Sequence, residues 1–249
     1  MARTALRGRL SWTPATVRDR VDETPRVRSL VFDCPGWPGH RPGQHLDIRL
    51  TAEDGYQAQR SYSIATPADD ERVTITVERI EDGEVSPYLV DELRIDDRIE
   101  LRGPIGGYFV WEPGTGGPLL LASGGSGIVP LMAMVRARQA SRDTTPVRFI
   151  QSWRTAADVI YREELQDLAG PDGVDVIQTL TRDASPAWTG RTGRVDRAFL
   201  EDVAWPLAEK PLALICGPTG FVEAVASTLV ELGHDPAAIR TERFGPSGG

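Results

Sequence analysis

From Thr16 to Val110, apolar positions alternate with polar ones in short runs: TVRDRVDE, VRSLVFDC, HLDIRLTA, YQAQRSYSIA, RVTITVERI and DRIELRGP. A period of two puts every second side chain on one face, which predicts strands with one buried side. Turn residues separate the runs. Six strands of this kind predict a small antiparallel β-barrel. SPYLVDEL interrupts them with a short helix, where Ser86 stands at the N-cap and Pro87 at the first helical position.

After WEPGTGGP the pattern changes. LLLAS, VRFIQSW, VDVIQTLT and PLALICGP are continuous apolar runs, as expected of parallel strands buried on both faces. IVPLMAMVRARQA, YREELQDLA, VDRAFLEDV and FVEAVASTLVELG follow them with helical periodicity. Alternating strand and helix predicts a doubly wound α/β parallel sheet, with RTERF as its last strand. The expected domains are residues 1–112 and 113–249, joined by the stretch from Glu112 to Pro118.

At 249 residues the chain is long enough for two modest domains, each with its own core. A formal charge of -8 and a pI near 5.0 disfavour a nucleic-acid or anionic-lipid surface, because both ligands need a basic one. Cys34 and Cys216 are too few for a disulfide framework, a tetrathiolate iron–sulfur cluster or a structural zinc site. MARTALRGRLSW lacks an apolar core of signal-peptide length, and no run approaches the length of a membrane span. A cytoplasmic protein without membrane contact is expected.

Two strand ends carry candidate chemistry. In LLLASGGSGIVPLM, Gly124, Gly125 and Gly127 allow the backbone to approach a pyrophosphate at the start of a helix. Ser123 and Ser126 can add donors. Pro130 stands where the dinucleotide fingerprint has its third glycine, and a plain structural turn fits the glycines equally well. In ICGPTGF, Cys216, Gly217 and Pro218 end the last continuous apolar run, where ligands of open α/β sheets gather. A lone cysteine there is ordinarily a small buried hydrophobe.

R-S-Y-S at 60–63, G-E-V-S at 83–86, G-P-I-G-G at 103–107, G-S-G-I-V-P at 125–130, C-G-P at 216–218 and E-R-F at 242–244 occur in that order over nearly the whole chain. In this it resembles the ferredoxin–NADP reductase superfamily of flavoproteins. The resemblance implies a barrel that binds FAD and an α/β sheet that binds NAD(P). Arg60 would hold the flavin's pyrophosphate, a charge-assisted role. Tyr62 would stack on the isoalloxazine, and Ser63 would offer its hydroxyl to the N5 edge. Period-two geometry turns Ser63 away from Arg60 and Tyr62 unless the strand is ending, which Pro67 allows. Gly83, Val85 and Ser86 would lie where the pyrophosphate meets the short helix, which favours FAD over FMN. Val77, Glu78 and Arg79 would make main-chain contacts to the flavin. Glu242 and Phe244 match a Glu-x-aromatic pair on the opposite flavin face, with Phe replacing the Tyr of plant-type enzymes and GPSGG following. Ser63, Cys216 and Glu242 are the implied catalytic residues. Ser123, Gly125, Gly127, Pro130, Gly217 and Pro218 are candidate contacts of the nucleotide.

A 2'-phosphate needs Arg, Lys or hydroxyl partners, whereas an unphosphorylated ribose is held by a carboxylate. Thr181 and Arg182 occupy the place of a Ser-Arg pair that grips the phosphate in NADP-using members. Ser152, Arg154, Arg191 and Arg194 are further candidates, and Asp158 follows Arg154 closely. NADPH is expected, with NADH open. The implied activity passes hydride from NAD(P)H to FAD and then electrons to a separate redox protein such as a ferredoxin, because the chain has no C-x4-C-x2-C run. A monomer is expected. Two other readings stay open: a reductase of free flavin or a ferric chelate, and a non-catalytic flavin-binding electron-transfer subunit.

Overall fold

The computed structural model describes residues 10–67, 72–168, 174–183 and 188–245. The N-terminal nine residues, residues 184–187 of the arginine-bearing stretch and the tail from 246 lie outside the described residues.

All six alternating runs are strands: β1 (Thr13–Thr24), β2 (Val27–Asp33), β3 (His45–Thr51), β4 (Gln57–Ser63), β5 (Arg72–Glu78) and β6 (Arg98–Ile105). They form one antiparallel sheet in the order β4-β3-β6-β1-β2-β5. Among the described residues its two outer strands meet only where β4 runs out against the middle of β5, through an antiparallel bridge of Ile64 with Ile75 and a 2.7 Å bond from Ala65 N–H to Thr74 O. The sheet is thereby rolled into a barrel around Phe32, Leu46, Ile48, Val77 and Leu101, with a seam left between β4 and β5.

The predicted short helix is a π-helical turn, Tyr88–Glu92. Ser86 does not cap it. The Ser86 hydroxyl instead accepts the Ile80 N–H at 3.0 Å, bracing the preceding loop, and no side chain caps the turn.

The second sheet is parallel throughout, in the order β10-β9-β8-β7-β11-β12. Its strands are β7 (Leu119–Gly124), β8 (Val147–Thr155), β9 (Val174–Asp183), β10 (Arg191–Thr192), β11 (Leu212–Pro218) and β12 (Ile239–Phe244). The helices are α1 (Ile128–Ala140), α2 (Arg162–Leu168), α3 (Arg197–Val203) and α4 (Thr219–Glu231). Only the two-residue β10 lacked a sequence signal, being too short to show a period. One core packs Leu121, Phe149 and Trp153 under α1 and α2 and extends to Ala65 of the barrel; another packs Leu120, Ile150 and Ile215 under α3 and α4. Strand order reverses between β7 and β11, which is where sheets of this type bind ligands. Among the described residues, no helix is long and apolar enough to cross a membrane.

Candidate functional site

Continuing the Ile64–Ile75 register along the seam sets Tyr62 across from Val77 and Arg60 across from Arg79, yet no ladder joins these pairs. Backbone groups alternate sides along a strand. On β4, Ile64 N–H goes to Gln44 O while Ala65 N–H crosses the seam, so the backbones of Ser61 and Ser63 face the opening. On β5, Arg79 N–H goes to Arg26 O while Thr74 O accepts across the seam, so the backbones of Thr76 and Glu78 face it. The seam thus exposes unpaired polar groups from both lips. Of the three residues expected to offer main-chain contacts, only Glu78 turns its backbone to the seam. Those of Val77 and Arg79 face β2, and the Arg79 guanidinium holds Asp91 at 2.7 Å.

Arg60 is half exposed beside the seam, and its guanidinium reaches Glu84 of the G-E-V-S segment at 3.2 Å. Two stretches far apart in sequence therefore meet. Tyr56 also donates its hydroxyl to Glu84, at 2.7 Å. Gly83 closes this loop through a 3.0 Å bond to Ile80 O. The Val85 side chain, by contrast, is fully buried in the barrel core, so only its backbone is available to a ligand. Tyr62 packs against that core, and burial pushes its hydroxyl pKa well up.

The β7–α1 loop forms the facing wall. Gly125 has a left-handed φ of +54°, and Gly127 lies so close to β11 that an added Cβ would sit 2.2 Å from Cys216 O. No side chain caps α1, and its first amide, Ile128 N–H, is taken by the Gly125–Gly127 turn that leads into it. Pro130 sits in the first turn of α1, where its missing N–H costs nothing. Ser126 donates to Glu78 Oε2 at 2.8 Å and ties this loop to the β5 lip. Ser123 departs from expectation: it is fully buried and its hydroxyl points to Ile150 O, so it is not aimed at a ligand.

Cys216 and Glu242 are register partners on β11 and β12, and Pro218 partners the exposed Phe244. Gly217 lies between them on the same strand end. Glu242 is largely buried, its Oε2 has no hydrogen-bond partner, and burial pushes its pKa to about 7. Burial and the Glu242 charge raise the Cys216 thiol well above its ordinary value, so it is a thiol near neutrality. Sequence reasoning missed His45. It is the register partner of Ser63, and its Nδ1 stands 3.9 Å from Glu242 Oε1. Strand alternation persists through Ser63, which shares the His45 side of the sheet rather than the Tyr62 side. The fold thus aligns Ser63, His45, Glu242 and Cys216 across the junction of the two sheets. Counting back through the β3–β4 hairpin would have found His45.

At the carboxyl ends of β8 and β9, Arg154 and Arg182 are both exposed. Ser152 lies beside the end of β7, paired with Gly124. Among the described residues, no ion pair engages either guanidinium. Thr181 gives its hydroxyl to Trp153 O at 3.0 Å. Asp158 is spent on its own turn, accepting from Thr155 N–H at 2.9 Å and the Thr155 hydroxyl at 2.8 Å. Arg191 does not join the group: it pairs with Asp202 and lies over the Phe199 ring. Arg194 is exposed just beyond β10.

These features fit a dinucleotide. The seam offers unpaired backbone groups and a half-exposed guanidinium, the glycine loop an uncapped helix start, and Glu242 an orphaned buried oxygen. Residues 14–110 match the oxidoreductase FAD-binding domain family, and residues 121–227 match the oxidoreductase NAD-binding domain family. The glycine betaine monooxygenase reductase subunit of Chromohalobacter salexigens is 31% identical over 90% of this chain and 62% of its own length. The ferredoxin reductase component of the 3-ketosteroid-9-alpha-monooxygenase of Mycolicibacterium smegmatis is 32% identical over 92% of this chain and 64% of its own. This chain therefore spans somewhat under two thirds of those relatives. The crystal structure of the FAD/NAD-binding domain of a Vibrio cholerae nitric oxide dioxygenase superposes with a TM-score of 0.85 at 26% identity, covering 94% of this chain and 99% of that one. Two adjoining domain matches, an antiparallel barrel with a polar seam and a glycine loop at the switch point of the parallel sheet together show that the chain belongs to the ferredoxin–NADP reductase superfamily.

Proposed function

We propose that this chain is an NAD(P)H-dependent FAD oxidoreductase, a cytoplasmic monomer that passes electrons to a separate redox protein such as a ferredoxin. Residues 1–112 would bind FAD and residues 113–249 the nicotinamide nucleotide. The observation that carries this reading is the alignment of Ser63, His45, Glu242 and Cys216 where the seam of the barrel meets the switch point of the sheet. Bound FAD would supply acceptance of a hydride and release of electrons one at a time.

The chain's own residues orient and shield. Arg60, the Gly83–Ser86 loop and the seam-side backbones of Ser63 and Glu78 would hold the flavin, with Tyr62 and Phe244 supplying aromatic surface. Gly125, Gly127 and the start of α1 would hold the nucleotide's pyrophosphate. Glu242, which titrates near pH 7, can take up or release a proton at neutrality, and neutral His45 stands beside it. Two exposed guanidinia, Arg154 and Arg182, with Asp158 spent elsewhere, favour NADPH over NADH. The two relatives described above are named as reductase parts of monooxygenases, which supports a separate oxygenase or ferredoxin as the acceptor.

Stopped-flow reduction of the FAD-loaded protein tests the proposal. The flavin absorbance should bleach with NADPH faster than with NADH, and reoxidation should quicken with added ferredoxin. No bleaching with either nucleotide would remove the enzyme reading, and acceleration by a ferric chelate alone would point to a small acceptor.

A further inference from the structure

Arg136, on α1 about two turns beyond the glycine loop, is the most heavily committed guanidinium at the junction. It holds the Glu164 carboxylate of α2 through two bonds, at 2.8 and 2.5 Å. A third donor reaches across to Ala65 O at 2.5 Å, two residues past Ser63 on the β4 lip. Its planar face lies 4.5 Å from the centre of the Tyr161 ring. Tyr161 is itself buried, with a left-handed φ of 58°, and its hydroxyl bonds Thr76 Oγ1 on the β5 lip at 2.5 Å. Thr76 continues to Ser29 at 2.8 Å, and Ser29 donates to Glu23 at 2.6 Å. One side chain of the nucleotide-binding half therefore grips both lips of the seam at its closed end, the β4 lip directly and the β5 lip through Tyr161.

We propose that Arg136 is a positioning residue that fixes the width of the seam and its placement against the glycine loop, acting through Ala65 on one lip and Tyr161 on the other. The proposal rests on the reading of the seam as the flavin site. Arginine suits the task because one planar group can bond a carboxylate twice, spare a donor for a carbonyl and stack on a ring, whereas lysine offers a point charge. The β4 lip ends in the bond from Ala65 N–H to Thr74 O, so the carbonyl that Arg136 holds belongs to the residue that closes the barrel. Loosening it would free Ser63 on one side and Thr76 on the other, while α1 would lose its hold at the end away from the phosphate loop. An error of an ångström between reacting groups is enough to slow a transfer about 10²-fold without abolishing binding.

The test uses the full chain with Arg136→Gln, Arg136→Lys and Tyr161→Phe. The first readout needs no cofactor: amide hydrogen exchange of the apoprotein over segments 60–67 and 72–78, with helix α4, which takes no part in the network, as internal reference. Arg136→Gln should speed exchange in both segments and leave α4 unchanged; Tyr161→Phe should loosen the 72–78 segment alone; Arg136→Lys should fall between Gln and wild type. The second readout is flavin reduction by NADPH per bound flavin, which in Arg136→Gln should slow by about 10- to 100-fold while half-saturation moves by less than about threefold. Should Arg136→Gln fail to fold, Arg136→Lys and Tyr161→Phe still decide. Unchanged exchange at both lips in the folded variants, or an unaltered reduction rate despite loosened lips, would overturn the proposal. Failure of the wild type to be reduced would instead strike the flavin reading, leaving the exchange data to judge the clasp.

Discussion

His45 Nδ1 and Glu242 Oε1 stand 3.9 Å apart across the junction of the barrel and the parallel sheet, and both side chains are mostly withdrawn from solvent. Burial lowers the histidine pKa and raises that of the carboxyl, so near neutral pH neither is firmly charged. Moving the carboxyl proton to the imidazole would leave a buried carboxylate–imidazolium pair, which burial disfavours, so the neutral pair is the favoured form and its proton is available to a third group.

The carboxyl gives the first test. Its folded pKa is about 7 against an ordinary 4.5, because burial penalises the charged form. Such a group stabilises the fold fully below the unfolded value, and that stabilisation is lost as pH rises through the folded value. In the apoprotein, Glu242→Gln should therefore gain stability relative to wild type between pH 4.5 and 7 and plateau above. The gain is at most about 1.4 kcal/mol for each step of one in pH across that window. Denaturant melts over the same range check it; a pH-independent difference would show the carboxyl to be solvated.

Arg60 and Glu84 give the second. The guanidinium is held at 3.2 Å by a carboxylate that an incoming pyrophosphate would have to displace. Arg60→Ala should weaken FAD retention by about 10- to 100-fold, the worth of a charge-assisted bond. Glu84→Gln should not weaken it, since the change removes a competitor. Flavin fluorescence titration separates the two; equal losses would mean that Glu84 shapes the loop instead.

Selectivity between nucleotides gives the third. Arg154→Ala and Arg182→Ala should each raise the KM for NADPH by about tenfold, the scale of one lost charged contact, and leave NADH nearly unaffected. Steady-state kinetics with both donors is sufficient, and parallel losses would place the phosphate elsewhere.

Gly127 gives the fourth. An added methyl would stand 2.2 Å from Cys216 O, a contact that no rotamer change relieves because the atom belongs to the backbone. Gly127→Ala should cost about 1–3 kcal/mol, as overpacking does, and should disturb the β7–β11 junction. A chemical melt measures the loss; an unaltered midpoint would show that the two strands part easily.

Much of this was legible in the chain itself. The six alternating runs and the four continuous ones became strands because their periods match burial on one face or on two. Arg60 stands beside the seam, and Glu242 and Phe244 pair with the end of the C-G-P strand. Less visible were features decided by partners distant in sequence. Ser123 looked like a phosphate donor, but neighbouring strands enclosed it; Arg191 looked like a phosphate clamp, but Asp202 and Phe199 took it. His45 carries no motif, and only strand pairing sets it beside Ser63. Which backbones face the seam follows from hydrogen-bond parity, a property of the closed barrel that no single strand encodes.

The split between β4 and β5 also bears on how the chain behaves before it is loaded. Unsatisfied strand edges are templates for foreign strands, and natural barrels remove them by closing completely. This one joins β4 to β5 only around the Ile64–Ile75 bridge and leaves the seam-facing backbones of Ser61 and Glu78 without a partner strand. A prosthetic group seated there would act as a missing staple for the barrel, so synthesis under riboflavin starvation should yield aggregates in which these two edges are paired with other copies.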